Sequence, residues 1–303
     1  MAKQTESSEV RPIRALLRRL IHAPAILALI WPMFLLIGSY AAYSNWYSSH
    51  LASVHGKILP EHIIIDEAPE YIRGDLVKQV YETAQLDLLS PLDRSATAKL
   101  ASAFENHAWV SDVVTARKLP GGKFQVDLNY RELVAAFHVT GGDAWKAGIA
   151  DHLRSMNYPA SLASGFLPLD GEGVLLPTAG LTLEDVEKLI HIEVYELYPT
   201  GDQGTLFGDR RVESAALLAK LLSAVHDQVK VSKITVSGNP SVNRIPRLDL
   251  VLADGTPVTW GSPPGMEQPA ERGARDKLVD LLRGNYVKGA DLSIARQNVQ
   301  PIR

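Results

Sequence analysis

The sequence, 303 residues long, contains no cysteine. Disulfides, thiol nucleophiles and thiolate metal sites are therefore excluded. It has no excess of positive charge either: 31 Lys and Arg face 34 Asp and Glu, for a net charge of −3. Nucleic-acid binding needs a basic face to neutralise phosphates, so this balance argues against it. Also missing are the phosphate-loop pattern GxxxxGK[ST], the dinucleotide fingerprint GxGxxG, the zinc motif HExxH and the nucleophile elbow GxSxG. Paired glycines at Gly121-Gly122 and Gly141-Gly142 lack the rest of a phosphate loop and read as turns. The nine histidines are scattered, and His50, His55 and His62 form no helical i,i+4 pair. They read as solvated, so neither a metal nor a cofactor is expected. No internal repeat is present.

Charge of either sign is also absent from one long run. Between Leu20 and Tyr43 there is no Asp, Glu, Lys or Arg. As a helix this run would span about 36 Å, enough for a hydrocarbon core of about 30 Å. Pro32 is expected to kink it. Tyr40, Tyr43, Trp46 and Tyr47 cluster at its far end as an aromatic belt would, and Arg18 and Arg19 close the near end. The first 19 residues carry a net charge of +3, and the rest sum to −6. The arginine bias implies a cytoplasmic N-terminus and an extracytoplasmic bulk. A cleaved signal peptide, with Ser39-Tyr40-Ala41 as its processing site, is the alternative. The expected layout is a basic tail over 1–19 and a transmembrane helix over 20–46, then two folded units over 58–132 and 133–303.

Beyond a polar stalk, His62 to Ile65 predicts a strand. From Tyr71 to Leu86 the apolar residues Ile72, Leu76, Val80 and Ala84 have helical spacing, and Asp93 can cap a second helix running to about Asn106. Strands follow over Val110–Lys118 and from Phe124 to Leu128, with Trp109 as core. The later part looks strand-rich, with hairpin turns at Asp170-Gly171 and Asp254-Gly255. Thr182 and Asp185 can form a capping box. Further helices are predicted from about Arg211 to Gln228 and from Glu271 to Arg283. Two strand-like runs, Ala290–Ile294 and Asn298–Ile302, close the chain. The carboxylate pair Asp170 and Glu172 has the residue types of a glycosidase pair, but it flanks Gly171 in a tight turn, which favours a structural role.

Taken in order, several segments resemble the FtsQ/DivIB family of bacterial cell-division proteins. They are Asn106-His107-Ala108-Trp109-Val110; Arg117-Lys118-Leu119-Pro120 with Phe124-Gln125-Val126; Tyr130 to Ala135; Leu167 to Pro177; and Asp254-Gly255 through Trp260-Gly261 to Ala290-Asp291-Leu292. The sequence departs from the family pattern at Ala108, Tyr130 and Leu133. The resemblance implies a single N-terminal transmembrane helix plus an α+β ectodomain. That ectodomain would be a POTRA unit (β-α-α-β-β) followed by a mostly antiparallel β domain with flanking helices. It also implies a non-enzymatic scaffold that binds small single-pass division proteins of the FtsB and FtsL type by strand addition. Such a scaffold works at the division septum and helps control septal peptidoglycan synthesis. The receiving edge is expected at the last strands. Ile294, Val299 and Ile302 would supply apolar contacts, Gln300 a polar one and Arg296 a salt-sensitive one. Two rivals stay open: another membrane-anchored POTRA protein of secretion or envelope assembly, and an envelope hydrolase using Asp170 or Glu172.

Overall fold

The computed structural model describes residues 32–44, 46, 56–155, 165–238, 244–284 and 289–294. A first sheet is built from β1 (Ile63–Ile65), β2 (Val110–Lys118) and β3 (Phe124–Tyr130), in the order β1-β3-β2. β1 runs parallel to β3, and β2 runs antiparallel to it. Helices α1 (Leu76–Thr83) and α2 (Ala96–Glu105) pack on this sheet through Leu76, Val80, Leu100 and Phe104. The helix predicted from Tyr71 begins only at Leu76. Gly74 holds a φ of 132°, and the Asp75 carboxylate caps the first turn by accepting from the Lys78 N–H.

The second sheet has seven strands, ordered β10-β9-β8-β7-β6-β4-β5. These are β4 (Ala135–Thr140), β5 (Phe166–Leu169), β6 (Ile190–Tyr195), β7 (Val231–Ser237), β8 (Arg247–Leu252), β9 (Pro257–Gly261) and β10 (Ala290–Asp291). Helices α3 (Asp143–Ser155), α5 (Arg210–Ser223) and α6 (Ala274–Leu282) contribute to one core with Phe137, Ile192, Ile234, Leu250 and Trp260. Short α4 (Leu183–Glu187) carries the predicted capping box between Thr182 and Asp185. On the other face the strand register lines up a half-buried polar row: His138, Glu193, Thr235, Asp249, Thr259 and Asp291. Glu193 accepts from Lys233 at 2.8 Å and lies 3.0 Å from the His138 ring. The two ends of this sheet differ. Beyond β5 the chain closes its own edge, as Leu175 bridges Leu169 and the Leu176 N–H donates to the Pro168 carbonyl. At the other end, the last strand among the described residues is the two-residue β10.

This architecture corrects the expected fold class. The protein is an α/β structure with two mixed sheets, and the second is not mostly antiparallel. β4 with β6, β6 with β7, and β9 with β10 are parallel, while β4 with β5, β7 with β8, and β8 with β9 are antiparallel. For β6 and β7 the cause is the crossover helix α5, which returns the chain to the same end of the sheet before β7 begins, and α6 lies in the same way between β9 and β10. The expected transmembrane helix is corrected as well. No helix among the described residues is long and apolar enough to cross a membrane. The helical stretch 32–44 is about 20 Å long at 1.5 Å per residue, short of a core of about 30 Å. Pro32, expected to kink a longer run, is its first described residue. Residues 20–31 of that run and the basic tail 1–19 lie outside the described residues.

The two sheets meet through the link 131–134. The Arg131 N–H donates to the Trp109 carbonyl, and the Arg131 carbonyl accepts from the Tyr71 hydroxyl, both at 2.9 Å. The Arg131 guanidinium donates to Asp170 at 2.7 Å. Leu176, which follows the Asp170 turn, is buried in the core of the first sheet. Arg73 reaches across to Asp185 at 3.0 Å and to the Gly180 carbonyl at 3.0 Å.

Candidate functional site

The β10 end of the seven-stranded sheet, where β10 is the last strand among the described residues, is built from β8, β9 and the segments that follow them. Hairpin β8–β9 turns at Asp254-Gly255, where Gly255 adopts a φ of 81° and the Asp254 carboxylate accepts from the Thr256 N–H. After β9 the chain turns at Gly261 and crosses a Pro/Gly loop into α6. It then returns as β10, parallel to β9, with Ala290 beside Val258 and Asp291 beside Thr259. Arg247, at the start of β8, ties the ends together by an ion pair to Asp291 at 3.1 Å. Asp291 also accepts from the Ser293 N–H at 2.9 Å, which shapes the chain just before Ile294.

A buried charge pair fixes the floor. Lys277 is fully buried and meets Glu271 at 2.6 Å, with its ammonium 5.3 Å from the centre of the Trp260 ring. Glu271 also accepts from the Ser262 N–H at 2.7 Å. Burial alone would raise the Glu271 carboxyl, but the hydrogen bonds from Lys277 and Ser262 outweigh it and hold the carboxyl below its ordinary value. Gly261 is required here: its φ is 94°, and a Cβ would lie 2.2 Å from the Glu271 carboxylate. A second pair, half-buried Arg272 with buried Asp280 at 2.7 Å, holds α6 to the same loop.

Above this floor lies an open cavity of about 550 Å³. Its walls include Arg244, Ile245, Arg247, Ser262, Glu271 and Ile294. Ile245 and Ile294 are 37% and 63% exposed, so two apolar side chains stand unburied beside arginines at a sheet end. This combination can seat an extended segment with an apolar residue and a carboxylate.

Of the residues predicted as a partner site, Ile294 lies on this cavity. Arg296, Val299, Gln300 and Ile302 lie outside the described residues, as does the strand expected over Asn298–Ile302. The strand predicted over Ala290–Ile294 is limited to Ala290–Asp291. Arg244, Ile245 and Arg247 were not among the predicted residues. Arg244 and Ile245 precede β8 on a loop and Arg247 is its first residue, where no periodicity points to a site. Glu271 was read as the start of a helix that in fact begins at Ala274. Lys277 was legible in principle, since it sits four residues before Leu281 and therefore on the same buried face.

The other tempting residues resolve differently. The Asp170 carboxylate is 5% exposed and accepts from Arg131 and from the N–H groups of Glu172 and Val174. It organises the turn and joins the two sheets, while Glu172 is exposed. Among the described residues no group of three His, Asp or Glu side chains is placed to hold a metal ion. No family model matches the chain. No curated protein matches it either.

Proposed function

We propose that the chain is a non-enzymatic scaffold of the bacterial cell-division machinery, of the FtsQ/DivIB kind. It takes a strand from a small single-pass division protein of the FtsB or FtsL type at the β10 end of the seven-stranded sheet. Its place is the extracytoplasmic side of the cytoplasmic membrane at the septum, where it helps control peptidoglycan synthesis. The observation that carries this reading is a two-residue strand, β10, the last among the described residues, with an adjacent cavity of about 550 Å³ bordered by Ile245, Ile294 and Arg247. A sheet end offers backbone N–H and C=O groups to an added strand, and side-chain pockets beside it give selectivity. The rigid floor under Gly261 means that little ordering is left to oppose binding.

The test measures affinity between the purified full chain and an FtsB-type partner. Ile245→Asp and Ile294→Asp should each weaken binding by about ten- to a hundredfold, the worth of one buried aliphatic side chain. Circular dichroism should be unchanged, because both residues are exposed. Undiminished affinity in both variants would reject this site.

A further inference from the structure

One end of the first sheet carries apolar side chains that the described residues leave uncovered. Leu59, Leu88 and Leu92 are 41%, 75% and 56% exposed. Hydrogen bonds hold their segments together: the Ile58 N–H donates to the Leu89 carbonyl at 3.2 Å, and the Lys118 ammonium donates to the Asp93 carbonyl at 2.6 Å. Pro91 packs against Gly122 in the β2–β3 turn. This end also collects cations. Lys57, Arg94 and Lys123 are exposed and make no ion pair among the described residues. Glu61, Asp87 and Asp93 share the end, but Asp93 is engaged by Lys99 at 3.8 Å and by the Ser95 N–H.

We infer that this leucine-and-lysine end rests on the headgroups of an anionic lipid bilayer. Two observations choose lipid as the occupant. The chain enters the unit at this end, and ten residues earlier lies Trp46, within about 35 Å even for a fully extended link. The stretch before it presents Met33, Phe34, Leu35, Leu36 and Ile37 at 56–70% exposure, a set of side chains that water covers poorly and lipid covers well. Leucines flanked by unpaired lysines match an interface with acyl chains below and phosphates above, and two such signals together give firmer attachment than either alone. The inference does not depend on strand addition at the distant edge.

The chain has no cysteine, so Leu88→Cys gives a unique site for an environment-sensitive fluorophore. The labelled full chain is reconstituted with vesicles of phosphatidylcholine alone or with about a third phosphatidylglycerol. The expected result is a blue shift and a rise of about twofold or more with the anionic vesicles, reduced at high salt. A fluorophore at Asp254→Cys, on the exposed β8–β9 turn, should not respond. Lys57→Gln with Lys123→Gln should weaken the response by about fivefold per lysine. A Leu88 fluorophore that still reports water, while the protein sediments with the vesicles, would overturn the inference. So would a shift that needs no lipid and grows with protein concentration, since a second copy of the chain would then cover the patch.

Discussion

Trp109 shows how much one side chain can carry. It is 4% exposed, its ring lies 5.6 Å from that of Tyr71, and its carbonyl receives the first N–H of the link to the second sheet. Trp109→Ala should cost about 3–5 kcal/mol, read as a lower midpoint in urea. The buried pair Lys277 and Glu271 makes a different prediction. Glu271→Gln leaves an ammonium buried without its counter-charge and should destabilise by about 3–5 kcal/mol. Adding Lys277→Met removes that charge, and the double variant should regain much of the loss in the same denaturation assay. The pair also sets a pH dependence. The Glu271 carboxyl titrates lower in the folded protein than its ordinary value of 4.5. Below that value the unfolded chain takes up a proton that the folded one does not. The contribution of Glu271 is therefore full above about pH 4.5 and is lost as the pH falls through the folded value. Thermal melts between pH 3 and 6 should show a shallower acid limb in the double variant than in the parent.

Among the elements, those fixed by local chemistry were legible in the sequence. The Thr182–Asp185 capping box is present, with the Asp185 N–H donating to Thr182 at 3.3 Å and the Thr182 N–H to Asp185 at 2.8 Å. Thr182→Ala should therefore cost about 1 kcal/mol by thermal denaturation. The Asp254-Gly255 hairpin was legible for the same reason, whereas the two helices on the first sheet were legible from their apolar spacing and not from their caps. Asp93, expected to cap the second, accepts from the Ser95 N–H one residue before the helix, whose N-cap is Ser95. β6 could have been found, because Ile190, Ile192 and Val194 alternate with His191, Glu193 and Tyr195. Helix α3 was harder to see: Gly148 interrupts it, and only Ile149 and Leu153 are buried from its length. What the sequence did not disclose was the direction of pairing. Parallel partners β4, β6 and β7 are joined through distant packing, and no short motif records which neighbour a strand will choose. The candidate site was only partly legible for a related reason. Ile294 lay on a strand-like run, whereas Arg244, Ile245 and Arg247 reach the cavity by the way β8 enters the sheet.

For the whole molecule, the decisive feature is the bonded link between the sheets. Residues 131–134 are engaged through Arg131 and through Val134, whose N–H donates to the Leu169 carbonyl at 3.1 Å. Limited proteolysis should leave this link intact in the parent. Arg131→Ala leaves Asp170 buried without its cation and should make the link cleavable, with a lower unfolding midpoint. The two ends of the large sheet have a further consequence. A sheet with two matching free edges can add copies of itself without limit and grow into a fibre. Here, among the described residues, the β5 end is folded back on its own chain at Pro168 and Leu169, whereas no strand lies beyond β10. With one such edge among the described residues, two copies can at most pair through β10, and a third has no edge of this sheet to join. On the proposed function the sheet is a socket for a single guest rather than a link in a chain.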